Sequence, residues 1–418
     1  MRLRLIAVAI TAGLGMTCFA AAATAAQNSQ MTTSSSELES LKMQLSALQA
    51  KVDSLEQRTD AQSDINISTG QALEQATSVT ATSDKKLAAL AKVVNDTTIG
   101  GKMFFDLSTI DQKNSLTGKT NASGTGIDVK RFYLSATHQF DDIWSANLTT
   151  DFNYVSNDSE TNLFVKKAYV QGKFDDAAVF RVGSADMPWI PFAEKYYGFR
   201  YVENTLIDRL KYGNSADWGL HLGGDIGASK SLNYAVSVVN GNGYKNPGRS
   251  KGVDVEGRVG FVPFENMVVA VGGYSGHRGQ ETENIDAVHT AERGDFLLAY
   301  ASKAFRVGAE YFTAKNWNNV LSPLADKADG YSVWGSVAVA DNVNLFARYD
   351  NAKLSKTLDR EARDTYYNAG VEYQVTKGFK LAGVWKHGKV EKSVATPLPP
   401  HVQNTKTNEI GVFGEVSF

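Results

Sequence analysis

Residues 127–155 read IDVKRFYLSATHQF, then the pair Asp141-Asp142, then IWSANLTTDFNYV. In the first run Phe132, Leu134, Ala136 and Phe140 fall on one face, and Arg131, Tyr133, Ser135 and Thr137 on the other. A period of two is the pattern of a β-strand with one apolar and one polar face. Two such runs joined by a two-residue turn predict an antiparallel hairpin. The same grammar recurs to the end of the chain, where Ile410, Val412, Gly414, Val416 and Phe418 alternate with Glu409, Gly411, Glu415 and Ser417.

Sixteen segments with this character follow residue 100: 100–110, 127–140, 142–155, 162–174, 176–185, 216–228, 230–240, 252–264, 266–277, 292–303, 304–314, 328–340, 342–354, 364–375, 377–389 and 406–418. Tight turns at Asp141-Asp142, Asp175-Asp176, Ser229-Lys230, Glu265-Asn266, Ser302-Lys303, Asp341-Asn342 and Thr376-Lys377-Gly378 alternate with longer polar stretches. Those stretches are 111–126, 156–161, 186–215, 241–251, 278–291, 315–327, 355–363 and 390–405. Short turns at one end and long loops at the other are what a transmembrane β-barrel requires. A soluble sandwich needs neither every second connection long nor an aromatic last strand. Phe140, Tyr154, Phe174, Tyr349 and Tyr373 sit near strand ends, where aromatic girdles meet the bilayer interfaces. The expected fold class is thus all-β: a transmembrane barrel of about sixteen antiparallel strands over 100–418, preceded by an N-terminal α-helical coiled coil.

The first 26 residues carry Arg2 and Arg4, an apolar run, and small residues around Ala23-Thr24-Ala25, the order of a cleaved secretory signal peptide. Cys18, the only cysteine, lies inside it, so the mature chain is expected to hold no disulfide. A polar linker follows at 27–37. From 38 to 95 a heptad frame runs through Leu38, Leu41, Leu45, Leu48, Val52 and Leu55, becomes polar at Thr59, Gln62, Asn66 and Thr69, and turns apolar again at Leu87, Leu90 and Val94. These are the a and d sites of a coiled coil. A continuous helix there would reach about 85 Å; the alternative is a short helix over Leu38–Leu55 with a Ser/Thr-rich tether. An even strand number places both barrel ends in the periplasm, and the stalk with them.

The chain resembles the phosphate-selective (O/P-type) porins in Gly100-Gly101-Lys102, in Asp128-Val129-Lys130-Arg131-Phe132-Tyr133-Leu134, in Lys167-Ala168-Tyr169-Val170, in Arg181-Val182-Gly183 and in Met187-Pro188-Trp189-Ile190-Pro191-Phe192. The likeness spans 100–418, with its distinctive pieces in the first half. It implies a trimeric general porin of the Gram-negative outer membrane, with sixteen strands and a third external loop that constricts the channel. The stalk lies outside that pattern.

The third long connection, 186–215, is the longest and is too aromatic for disorder. Trp189, Phe192, Tyr196, Tyr197, Phe199 and Tyr201 are suited to packing it inside the barrel, which would present Glu194, Arg200, Glu203, Asp208, Arg209 and Lys211 to passing solutes. A cap over the barrel mouth or at a trimer contact is the other arrangement. Alternation assigns Arg131, Lys167, Lys173 and Arg181 to the lumen, and later in the chain Asp254, Glu256, Arg258, Arg306, Glu310, Arg348, Asp350 and Glu372. The early wall is basic and the later wall mixed. That arrangement creates a transverse field that orients polar solutes, and leaves open a dedicated anion site or a solvated charged wall with no special selectivity.

The formal net charge of -2 names no partner, and the six histidines are scattered without metal-ligand spacing. No H-E-x-x-H, C-x-x-C or G-x-S-x-G occurs, and Gly241-Asn242-Gly243 ends a strand with no helix after it. No catalytic residue, metal or cofactor is therefore expected, and no nucleic-acid partner. The expectation is a non-enzymatic, water-filled channel for small hydrophilic solutes or anions, homotrimeric, surrounded by outer-membrane lipid. The alternative is a structural tether whose stalk contacts peptidoglycan.

Overall fold

In the computed structural model, residues 34–154, 161–393 and 403–418 are described. The expected signal peptide, most of the expected linker, and residues 155–160 and 394–402 lie outside these residues. The described chain forms two units, a helical one and a barrel.

The helical unit contains α1, Ser34–Asn95, 62 residues without interruption. No proline breaks it. Along its Ser/Thr-rich middle hydroxyls bond back one turn within the helix: Thr59 to the Leu55 carbonyl at 2.8 Å, Thr77 to Leu73 at 2.7 Å and Thr80 to Ala76 at 2.8 Å. Of the two sequence-based alternatives, the continuous helix is the one found. No helix among the described residues is apolar enough to cross a membrane.

The barrel is closed and built from sixteen antiparallel strands, each paired with its neighbours in sequence. They are β1 Thr97–Asn114, β2 Thr120–Gln139, β3 Trp144–Tyr154, β4 Thr161–Asp175, β5 Ala178–Asp186, β6 Ala216–Ile226, β7 Leu232–Val239 and β8 Asp254–Phe261, continuing with β9 Met267–Gly276, β10 Ala291–Ala301, β11 Phe305–Lys315, β12 Lys327–Ala340, β13 Val343–Lys353, β14 Arg363–Thr376, β15 Phe379–Glu391 and β16 Thr405–Ser417. β1 meets β16 to close the ring, from Lys102 opposite Ser417 to Asn114 opposite Thr405. Closure pairs every strand edge, so no backbone group faces lipid unsatisfied. The terminal Phe418 completes the seam by exchanging backbone hydrogen bonds with Gly101 at 3.0 and 3.1 Å. Its ring covers the face where Gly101 has no side chain; a Cβ there would sit 2.3 Å from it.

The main departure from sequence expectation lies in the first hairpin. Its pairing continues through residues assigned to a loop, up to Asn114 and from Thr120. Ser, Thr and Gly in that stretch are compatible with strand pairing beyond the bilayer, where neither face needs to be apolar.

Two irregularities matter more. The β1–β2 register shifts between Phe104 and Phe105, leaving Lys130 as an extra residue between Arg131 and Val129. The β3–β4 register shifts between Thr149 and Thr150, leaving Lys166 extra between Lys167 and Val165. A bulge of this kind lets two consecutive side chains point to the same face.

Candidate functional site

The connection after β5 folds into the barrel. It holds two short helices, α2 Ile190–Tyr197 and α3 Leu206–Arg209, with Pro191 at the start of α2 and Gly198 ending it in a left-handed turn. Trp189, Ile190, Tyr197, Phe199, Leu206, Ile207 and Tyr212 are buried in one cluster with Val268, Leu297, Phe312, Trp317, Trp334 and Phe346 of the inner wall. Phe199 stacks on Phe346 at 4.3 Å between ring centroids, and Tyr197 meets Trp334 edge-on at 5.7 Å. Trp189 lies against Gly272, where any Cβ would stand 2.6 Å from the indole. The loop is thus held on strands β9–β13, inside the lumen rather than over the mouth.

The acidic residues of that wall serve the loop. Glu256 accepts the Trp189 backbone N–H at 2.9 Å, Glu310 its indole N–H at 2.8 Å, and Glu372 the Tyr201 hydroxyl at 2.8 Å. Arg209 reaches Asp350 at 3.0 Å and Asp364 at 2.5 Å, and Arg348 pairs with Asp350 at 2.7 Å. Arg293 is shared between Glu256 and Asp295, each at 2.9 Å. These carboxylates are occupied in holding the loop and the arginines of the wall itself. They are screened from the remaining space.

That space lies between the other side of the loop and strands β1–β4 with β15 and β16. A cavity of about 520 Å³ is lined by Lys102, Phe104, Tyr133, Ser135, Asn147, Thr149, Lys166, Lys167, Asp186, Pro191, Glu194, Lys195, Gly198, Arg200, Lys380 and Glu415. Next to it, Lys130, Arg131, Arg200, Tyr201, Glu203 and Asn204 enclose about 200 Å³ around the shared residues Phe104 and Arg200. In the larger cavity six cationic side chains stand against three carboxylates. Lys167 is paired with Asp186 at 2.5 Å, Arg200 with Glu194 at 2.5 Å, and Lys380 with Glu372 at 3.4 Å and Glu415 at 3.7 Å. Among the described residues Lys102, Lys166 and Lys195 make no ion pair. Lys166 instead lies over the Tyr133 ring at 4.6 Å and the Tyr244 ring at 5.9 Å. Cation–π contact stabilises the ammonium without cancelling its charge.

A second cationic group spans the loop tip and the wall. Lys130 and Lys386 both cover the Phe413 ring, at 4.5 and 4.0 Å. Lys130 pairs with Asp106 at 3.0 Å, while Lys386 pairs with Glu409 at 3.2 Å and with Glu203 of the loop at 3.6 Å. Burial alone would raise the Glu203 carboxyl, but Lys386, Lys130 and Arg209 hold it down to about 2. It remains an anion at any physiological pH and latches the loop across to β15. Lys245, in the connection after β7, lies over Phe164 at 4.9 Å. Its burial, helped by Arg131, pushes its ammonium down to about 8.

The residues singled out from sequence therefore separate. Arg131 borders the smaller cavity and pairs with Asp151 at 3.0 Å; Lys167, Glu194, Arg200 and Glu203 are gathered at the passage. Asp208 backs Arg200 at 3.4 Å. Lys173 sits at the tight-turn end, bound to Asp176 at 2.8 Å, and Arg181 is held by Gln171 at 2.8 Å, outside both cavities. Arg209 faces the wall, and Lys211 is exposed with a positive φ of 60°. Sequence alternation passed over Lys102, Lys130, Lys166, Lys195, Lys380 and Lys386. For Lys130 and Lys166 a signal existed: each doubles a basic residue, Lys130-Arg131 and Lys166-Lys167. Strict alternation would put one of each pair into lipid, at roughly 2–4 kcal/mol near the bilayer midplane. A bulge avoids that cost.

A larger hollow of about 720 Å³ lies among the outward-facing Leu298, Val307, Val333 and Tyr349 and belongs to the lipid-facing surface. No group of three or more His, Cys, Asp or Glu suited to a metal occurs among the described residues.

No protein-family model matches this sequence, and no curated protein does either. Solved structures do match. An anion-selective porin from Comamonas acidovorans superposes with a TM-score of 0.53 at 13% identity, covering 77% of this chain and 99% of that one. OmpF of Salmonella typhi, solved in complex with daunomycin, gives 0.54 at 11% identity, covering 77% and 97%. At these identities the likeness is one of fold, and the fold shared is that of outer-membrane porins.

Proposed function

We propose that this chain forms a porin of the bacterial outer membrane that lets small hydrophilic solutes diffuse through its lumen with a preference for anions. The observation that carries the reading is the division of charge inside the barrel. The inward loop covers and neutralises the acidic wall, and in the passage left beside it six cationic side chains face three carboxylates, with Lys102, Lys166 and Lys195 in no ion pair among the described residues. In a narrow, poorly screened channel such a surplus attracts anions and repels cations. The anion-selective porin of Comamonas acidovorans, which shares this fold, supports the same direction, and the resemblance to O/P-type porins makes phosphate one anion to try. The cavity is several times larger than a single phosphate, so the reading extends to organic anions as well.

Passive transport needs no covalent step. The acidic side chains of the lumen are engaged as acceptors, and its lysines and arginines are arranged along a path rather than around one reacting atom. β1 begins and β16 ends at the tight-turn end of the barrel, which in this reading faces the periplasm. Adding the purified full-length protein to a planar lipid bilayer tests the claim. Discrete, long-lived conductance steps are expected, and a folded barrel that inserts but stays silent would overturn it.

A further inference from the structure

The helix α1 presents a long apolar stripe to solvent. Leu41, Leu48, Leu73 and Val94 are each more than 60% exposed. Isolated helices gain little from propensity alone, and most helical stability comes from burying an apolar face. From Leu41 to Val94 the stripe follows one heptad frame, with Leu45, Val52 and Leu87 at a and Leu48, Leu55 and Leu90 at d. The frame is less polar than its letters suggest. Thr59 and Thr80 occupy a positions, and because their hydroxyls bond to the Leu55 and Ala76 carbonyls, their methyl groups remain for the seam.

We propose that α1 docks with two further copies of this chain as a parallel, in-register, three-stranded coiled coil. Orientation follows from charge and layer matching. In a parallel arrangement each g residue meets the e residue five places on in its neighbour, which pairs Lys51 with Glu56. None of the other g–e pairs between Gln44 and Ala91 brings like charges together. In register, each leucine layer meets leucine, and Gln62 and Asn66 meet their own kind. A fully overlapped antiparallel pair would instead set Leu45 against Ser83 and Leu48 against Thr80. The number of copies follows from the width of the stripe. Toward the C-terminal half it broadens to the g positions Ile65, Val79 and Val93, all exposed. A two-stranded seam buries little beyond a and d, whereas a third helix covers the g positions too. The proposal is independent of what the barrel conducts.

The test uses the full-length protein in detergent micelles, with Cys18→Ser removing the native thiol and Leu48→Cys introducing one at a d position. Under mild oxidation a disulfide between identical positions is expected, and the mass of the unoxidised assembly should be that of three chains. Lys51→Glu should lower the melting temperature of the helical circular-dichroism signal at 222 nm, which reports mainly on α1. The double variant Lys51→Glu/Glu56→Lys should restore it. Cross-linking that appears only between position 48 and a cysteine at Thr80, or an assembly mass of two chains, would overturn the proposal.

Discussion

Lys166 stands over two tyrosine rings and forms no ion pair among the described residues, and its position explains how one residue shifts the balance of the passage. It is the inserted residue of a bulge, so its charge is added to that of Lys167 rather than alternating with it. Replacing it with methionine should lower the anion-to-cation permeability ratio severalfold, and Lys166→Glu should lower it further. Lys173→Met should leave the ratio nearly unchanged, because Lys173 is already bound to Asp176 at the barrel end. Reversal potentials for the three variants check this. Lys245 adds a dependence on pH. An ammonium titrating at about 8 is charged at neutral pH and loses its charge as pH rises. Anion preference should therefore fall between pH 7 and 9, and Lys245→Met should remove most of that step in reversal-potential measurements. How much of this is legible in the sequence depends on the residue. Arg131, Lys167 and Arg200 follow from alternation and from an aromatic loop, whereas Lys130 and Lys166 need a register shift that only the paired strand reveals. Lys102, Lys195 and Lys380 need to be seen around one space.

The decisive element is the loop between β5 and β6. Its aromatic residues announce that it packs, but the sequence leaves open what it packs on, because the partners come from β9–β13 far along the chain. Arg209 illustrates the gap. Read as a group facing solute, it instead ties α3 to the buried Asp350 and Asp364. Arg209→Ala would leave those carboxylates short of a counter-charge, and removing one partner of a buried pair costs about 3 kcal/mol. The loop should then detach more often while the barrel persists. Limited trypsin digestion should cut faster at Lys195, Arg200 or Lys211, and single-channel conductance should rise. Unchanged digestion and conductance would show that the aromatic packing holds the loop without Arg209. Gly272 belongs to the same anchoring, since the Trp189 indole occupies the place its side chain would take.

For the molecule as a whole, the strand order was the most readable feature, because tight turns and long loops alternate with the bilayer and each strand repeats every two residues. The outer continuation of β1 and β2 was less readable, since polar strands outside lipid carry no apolar face to mark them. The heptad frame of α1 was equally plain, while its polar middle left a continuous helix and a tether both open. What no single segment encodes is the asymmetry of the closed barrel. One half-wall is acidic, arginine-paired and covered by the loop; the other is lined by lysines and open. That asymmetry is the central claim, and it is tested most directly by the zero-current potential of wild-type channels in a planar bilayer under a tenfold potassium chloride gradient at neutral pH. The account predicts the sign that chloride selectivity produces, with its magnitude reduced in the Lys166 variants. A potential of the opposite sign, reporting preference for potassium, would contradict it.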